Sequence, residues 1–563
     1  MKKLRWQILI VILALVAIGI LLLSQKPVIL PVIVPEVEPA TGGVYTEGVV
    51  GALNRLNPLL DFNNPADRDI DRLLYSGLVR FDSRGLPQLD LAEAMGISKD
   101  GTKYNFTLRA NALWHDGQPL TSADVLFTVD LLRNDALPIP KDLQELWKTV
   151  EVEALNEINL QFRLPEPYAP FLDYLAFGIL PQHLLGNLSP AELIASSFNM
   201  QPVGSGPYRF ERLMLEEGKI VGLVLTSFAE YYAAVPFIPQ IVFRYYPDSA
   251  SALAAFQAGE TQGVSQITAD VLPAALKDAD LNLYTARLPQ LSLIFLNLKN
   301  PETPFFQDAT IRRALLKGLN RQRMVEKLMD GQAILADGPI FSGSWAFYSG
   351  IEHLAYDPER AVAALKAAGY TIPAEGGAVR AKEEKFLQFT LLYPDDAEHA
   401  ALAEMIAADW RKLGIGVGLQ PVSYATLVKD HLEARNFQAA LVDINLARTP
   451  DPDPYPFWHQ AMVTGGQNYA QWDDRQVSEF LEQARVTLDM AERLRLYNNF
   501  QVRFAAELPA LPLFSPVYTY GVDKEVQGVT VGPLFDTADR FATIAAWFLV
   551  AKRASGETPT LTP

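Results

Sequence analysis

The chain has 563 residues, 48 of them basic and 65 acidic, for a net charge of −17 at pH 7, with 49% hydrophobic and 20% charged residues. That length exceeds what one hydrophobic core holds and calls for two or three structural units, and the acidic balance argues against nucleic acid or anionic lipid as a general partner. There is no cysteine, so disulfides, thiolate metal sites and a thiol nucleophile are excluded together.

In chain order, Lys2, Lys3 and Arg5 precede an apolar run over 6–23 that only Gln7 interrupts. A helix of that length spans about 27 Å, close to the hydrocarbon thickness of a bilayer, so an N-terminal transmembrane helix is predicted. Its positive flank stays cytoplasmic, which places the body outside the cytoplasm, in the periplasm or at the cell surface. "LLLSQKPVILP" offers no small-x-small cleavage site, which favours an uncleaved anchor over a signal peptide. The proline-spaced stretch 25–43 reads as a semi-rigid tether and 548–563 as a flexible tail.

From about 44 to 290 short β-like runs are split by Gly, Pro and Asp-Gly turns. Lys99-Asp100-Gly101-Thr102 joins two extended runs as a hairpin, and Thr121 with Asp124 forms a capping box for a helix burying Val125, Val129 and Leu132. From about 291 to 510 apolar strands alternate with capped helices, which means an α/β unit. The run 291–298 reads as a buried strand. Asp308, Asn320 and the pair Asp357-Pro358 start helices, and Gly369 and Gly414 stop them. Leu402, Ile406, Trp410 and Leu413 form a buried helical stripe, two helices are predicted over 474–487 and 490–507, and 508–522 is extended.

Motifs for chemistry are mostly missing. There is no G-x-S-x-G, H-E-x-x-H or P-loop pattern, so no catalytic residue is assigned. "GSGPY" around Ser205 reads as a tight turn, and "GIGVGL" (414–419) follows a helix and opens a strand, the reverse of a phosphate-binding loop. Six scattered histidines show no metal-ligand spacing, and no metal or cofactor is expected. "TPDPDPYPFWHQ" (449–460) has proline at every second position from Pro450 to Pro456, so it is predicted to be an extended, rigid loop that cannot be helical. Aromatic residues concentrate in this loop and in "GSWAFYSG" (343–350).

The order of segments carries a resemblance. "GISKDGTKYNFTLRANALWHDGQPLTSADVLFTVDLLRN" (96–134), "PVGSGPYRF" (202–210), "PDSASALAAFQAGETQGV" (247–264), "FQDATIRRALLKGLNRQRMVEKLMDGQA" (306–333), "YDPERAVAALKAAGY" (356–370) and "ADWRKLGIGVGLQPVSY" (408–424) resemble successive blocks of the family 5 extracellular solute-binding proteins of ABC transporters, the oligopeptide, dipeptide and nickel group. The resemblance implies an α/β, two-lobed periplasmic-binding-protein-like fold of type II with an extra inserted domain. It maps a split lobe to 44–76, 200–289 and 511–547, the insert to 77–199 and a continuous lobe to 290–510, with hinge crossings near 287–291 and 508–514. It implies a protein that performs no reaction, binds a small molecule or peptide and hands it to membrane permease subunits, and a monomer is expected.

Loop placement within that frame nominates Asn57, Phe62, Phe295, Asn297, Trp345, Tyr424, Arg448, Asp451, Asp453 and Trp458 as ligand contacts. One position departs from the family pattern. Peptide-binding members carry an aspartate for the peptide's α-ammonium shortly before a D-P pair, and alignment on Asp451-Pro452 puts Arg448 there. Arginine suits carboxylate or phosphate instead. Either Asp451, Asp453 or Asp443 takes the ammonium, or the solute is an oligosaccharide or an acidic ligand. A surface-anchored sensor and a hydrolase using Asp451 and Asp453 are the other readings, the second disfavoured because residues two apart in an extended chain point in divergent directions.

Overall fold

The computed structural model describes residues 37–445 and 449–553. The predicted anchor over 6–23, most of the tether, Arg448 and the end of the tail lie outside the described residues; among those described, no helix is long and apolar enough to cross a membrane. A small unit consists of the strand Val37–Ala40 paired antiparallel with Val550–Arg553.

In the main unit, Thr41–Leu549, most local expectations hold. Ala92–Ile97 and Lys103–Leu108 pair antiparallel across a turn in which Gly101 has φ +70° and Asp100 accepts the Thr102 N–H. The helix Ser122–Leu132 starts at the Thr121/Asp124 capping box and buries Val125, Val129 and Leu132. Asp308, Asn320 and Asp357 cap the helices Ala309–Lys317, Arg321–Leu328 and Pro358–Ala367 with their side chains. Leu402, Ile406, Trp410 and Leu413 are buried on or just after the helix Ala397–Lys412, and the predicted helical pair is Arg475–Val486 and Met490–Glu507. The turn "GSGPY" exists for close backbone approach: a Cβ on Gly204 would stand 1.9 Å from the Leu74 carbonyl oxygen, and Gly206 donates its N–H to that oxygen at 2.8 Å.

The proline loop differs from expectation. Tyr455–Trp458 forms one helical turn following Pro454, because Pro456 falls in its first turn, where a missing N–H costs nothing.

Ten strands of a twelve-stranded sheet lie on one path, in the order Gly416–Val422, Gln388–Pro394, Ala439–Asn445, Gln290–Leu296, Ala510–Asp523, Gly263–Val264, Val44–Val50, Gln240–Tyr246, Lys219–Ser227, Tyr208–Glu216. Ala510–Asp523 links its two parts. Ala510 to Phe514 pair with Gln290–Leu296, whereas Val517 to Asp523 pair with Leu281–Arg287. The apolar cores divide at the same place. One core runs from Leu291 to Phe514, and another combines Tyr45 to Ala286 with Tyr518 to Trp547. Two crossings therefore join the halves, at Leu288–Pro289 and at Pro516–Val517, the second a little later than 508–514. The four-stranded sheet within 92–163 contributes Tyr104, Phe106 and Phe162 to the same core as Tyr45.

Burial in the first half includes a carboxylate cluster. Asp71 is fully buried on the helix Pro65–Leu74 near Asp61 and Asp67; burial first, then the charges of Asp61 and Asp67, hold its carboxyl well above the usual range, and burial pushes Asp61 up to about 7. Carboxyls raised in the folded state stabilise it at acid pH and lose that contribution as pH rises from about 4 to about 7. Asp71→Asn is therefore expected to raise stability at pH 8 by about 1–3 kcal/mol and leave it nearly unchanged at pH 4, as read from urea unfolding at the two pH values.

Candidate ligand-binding site

Three strands of the second half, Gln388–Pro394, Gly416–Val422 and Ala439–Asn445, are mutually parallel, so their carboxyl ends share one edge. In open α/β sheets ligands bind outside such carboxyl ends. The edge carries Asp396, His399, Tyr424 and Asp443.

Asp443 is the centre of this group. Its side chain is 47% exposed, it accepts the Ser292 hydroxyl on one oxygen, and its other oxygen lies 3.1 Å from His399 Nε2. His399 Nδ1 is 2.7 Å from Asp396, the cap of its own helix, and the Tyr424 hydroxyl donates to the Asp443 carbonyl at 3.4 Å. The hydrogen bond to Asp443, opposed by burial and helped by Asp396, raises His399 to about 9. At neutral pH the edge thus presents a carboxylate held in place by an imidazolium and a hydroxyl.

The proline loop is a brace. Arg493 pairs with Asp451 at 2.7 Å with both side chains 3% exposed, donates to the Ala484 carbonyl at 2.9 Å and lies over the Trp345 ring at 5.1 Å. Arg485 grips Asp453 through two nitrogens and stacks at 3.8 Å on Tyr455. From the first half, Asp173 accepts the Asp451 N–H at 2.5 Å and the Tyr168 hydroxyl reaches Asp453 at 3.4 Å. Burial, then the charge of Asp451, holds the Asp173 carboxyl well above its usual range. The loop is stiff because it joins two packed halves, and its two carboxylates already have cationic partners.

The ten nominated residues do not form one wall. Asn57 is buried, donating to Asn199 and accepting from the Leu59 N–H, each at 3.0 Å. Asn297 donates to the carbonyls of Arg435 and Phe437 and accepts from Gln471 at 2.6 Å, so it staples loops. Phe295 and Trp458 face each other at 5.9 Å within the apolar core, with Trp458 against Phe504 at 4.8 Å. Phe62 packs on the core of the first half. Asn57, Phe295, Asn297 and Trp458 are buried among these partners in this conformation, whereas Phe62 is half-buried and keeps an open face. Asp451, Asp453 and Trp345 come together in the brace, and Tyr424 alone stands at the open edge. Arg448 lies outside the described residues.

Sequence reasoning did not nominate His399, Ser292, Arg485, Arg493 or Asp173. Only His399 had a local signal, sitting in the first turn of a helix capped by Asp396 directly after a strand.

A two-cored α/β chain with paired strand crossings and polar groups at the carboxyl edge is the architecture of a two-lobed solute receptor. The model of "Bacterial extracellular solute-binding proteins, family 5 Middle" matches residues 87–466, and the chain belongs to this family of ABC-transporter solute-binding proteins. It is 26% identical over 525 residues to the oligopeptide-binding protein AppA of Bacillus subtilis, covering 91% of this chain and 92% of the relative. It is 26% identical over 485 residues to the dipeptide-binding protein of Escherichia coli, covering 82% and 87%. In fold it resembles HbpA2 from Haemophilus parasuis, with a TM-score of 0.78 at 23% identity over 88% of this chain and 99% of that one.

Proposed function

We propose that the protein is the peptide-binding subunit of an ABC importer, tethered outside the membrane by its N-terminal segment, and that it delivers an oligopeptide to permease subunits. The lobes would be the two cored halves, with 77–199 as an insert carried by the first. The observation behind this reading is the pair of strand crossings between separate cores, a hinge about which two halves can close on a solute. The names of AppA and of the dipeptide-binding protein support a peptide as the solute. Asp443 would hold the peptide's α-ammonium, since its side chain is 47% exposed beside its His399 partner, whereas Asp451 and Asp453 are 3% and 13% exposed under Arg493 and Arg485.

The test is calorimetry and thermal denaturation of the full chain with tri- to nonapeptides, their N-acetylated forms and oligosaccharides. A binding peptide should stabilise the fold by about 2.7 kcal/mol at a hundredfold excess over Kd. Asp443→Asn should weaken a free-amine peptide by about tenfold or more while leaving its N-acetylated form unchanged, because a hydrogen bond to a charged group contributes about 1.5–3 kcal/mol. Binding of a sugar and of no peptide would refute the proposal.

A further inference from the structure

Beside both crossings, in the second half, lies a cavity of about 200 Å³. Leu291, Leu335, Phe341 and Ile351 form an apolar wall, polar groups including Asp337 and Ser349 make up a share of the lining of similar extent, and Ser515 of the crossing strand closes one side. Leu335 and Ile351 are only half-buried, so part of the wall has no apolar partner within the protein. That arrangement leaves apolar surface in water that a solute would cover.

The wall is held from several directions. Arg321, itself 3% exposed, donates to the carbonyls of Ala336, Pro512 and Leu354, and Gln501 bridges the Ala346 carbonyl at 2.8 Å and the Tyr348 N–H at 3.1 Å. Arg287 reaches over from the first half to the Ser342 carbonyl at 2.9 Å, and Phe341 meets Phe535 edge-on at 5.9 Å. A loop braced in this way keeps its cavity open in advance of binding, which lowers the ordering cost of filling it. Its charged end is internally matched: Asp337 lies 3.2 Å from Arg321 and 2.8 Å from His353 Nδ1. The Asp337 carboxylate therefore already has the Arg321 guanidinium as its counter-charge.

We infer that this cavity is a specificity subsite taking one aromatic or branched aliphatic side chain of the bound peptide; the inference rests on the peptide reading above. A cavity of about 150 Å³ already holds benzene, so this one has room for a single ring or a leucine-sized chain and for no second residue. The occupant touches Leu291 and Ser515, each close to a crossing, so the side chain reads the same strands that carry the hinge.

The test is the affinity of the full chain for Ala-Ala-Ala and for tripeptides with Phe, Leu or Asp at each position. Phe or Leu at one position should improve binding about 10- to 100-fold, and Asp there should not. Ile351→Trp, which fills the cavity from its wall, should abolish that gain, so that within this variant the Phe and Leu peptides bind no better than Ala-Ala-Ala. Leu335→Ala, which enlarges the cavity, should shift preference from Leu towards Phe and serves if the first variant does not fold. Gain at no position, or gain that survives Ile351→Trp, overturns the subsite and leaves the peptide reading standing. If no peptide binds, the peptide reading has failed and benzene decides the cavity by NMR shift changes at Leu335 and Ile351. Binding that Ile351→Trp removes supports an apolar subsite, and no binding overturns it.

Discussion

Arg540→Met is expected to destabilise the first half by about 3–5 kcal/mol at pH 7, a large share of the roughly 5–15 kcal/mol that holds a domain folded. Arg540 is fully buried. It makes two bonds to Asp69, at 2.6 and 2.7 Å, and two to Glu47 Oε1, at 3.2 and 3.3 Å, and it stacks on Phe541 at 4.3 Å. Glu47 also takes the hydroxyls of Tyr45 and Tyr520, so strand Val44–Val50, helix Pro65–Leu74, strand Ala510–Asp523 and the turn Thr537–Phe541 all meet at one guanidinium. Methionine fills much of the volume but leaves two carboxylates without a counter-charge.

The signature is in the pH dependence. Burial already raises both carboxyls in the wild-type protein against the opposing charge of Arg540; without that charge they rise further and protonate on folding, so the variant recovers stability more steeply than wild type as pH falls towards 4. A core that merely lost packing would show no such recovery. The triple variant Glu47→Leu, Asp69→Leu, Arg540→Met should regain most of the loss at pH 7, because well-packed apolar residues replace a buried ion cluster at little cost. Thermal denaturation of the three proteins at pH 7 and pH 5 makes the comparison.

Sequence and structure agree where the signal is local. The capping box at Thr121/Asp124, the Asp357-Pro358 start and the Asp100-Gly101 turn each encode their geometry within a few residues, and the structure contains all three. The family too was legible, because six blocks in order constrain a fold more than any one of them does. Partner choice over long distance was not. Arg493 meets Asp451 forty-odd positions away and Asp173 meets Asp451 across 278, and no periodicity marks such pairs. Phe295 shows the second failure. Every residue of the strand from Leu291 to Leu296 is buried, so the alternation that tells an inward face from an open one is missing and a core residue looks like a wall residue. The second crossing, expected near 508–514, has no sharper local signal for a related reason: 510–516 is an almost unbroken apolar run with prolines, which carries no mark of where one core ends.

Arg493→Met should cost about 3–5 kcal/mol by the same logic as Arg540, but its consequence is local to the junction of the halves. Removing the guanidinium leaves Asp451 facing Asp173, with Asp453 two residues on, in a site where Asp173 is already driven towards its neutral form. The Asp451 N–H, which Asp173 now accepts, should exchange with solvent much faster, and hydrogen exchange over 449–458 reads that directly. Arg485→Met is the contrast. Its side chain is 27% exposed, so water replaces part of what it gives Asp453 and the loss should be about 1 kcal/mol or less. Pairing Arg493→Met with Asp173→Asn separates charge from packing. If the cost is electrostatic, the asparagine takes away one of the facing carboxyls and returns part of the stability at pH 7. If the two losses simply add, the brace works through shape and the carboxyl pair between the halves has no energetic role.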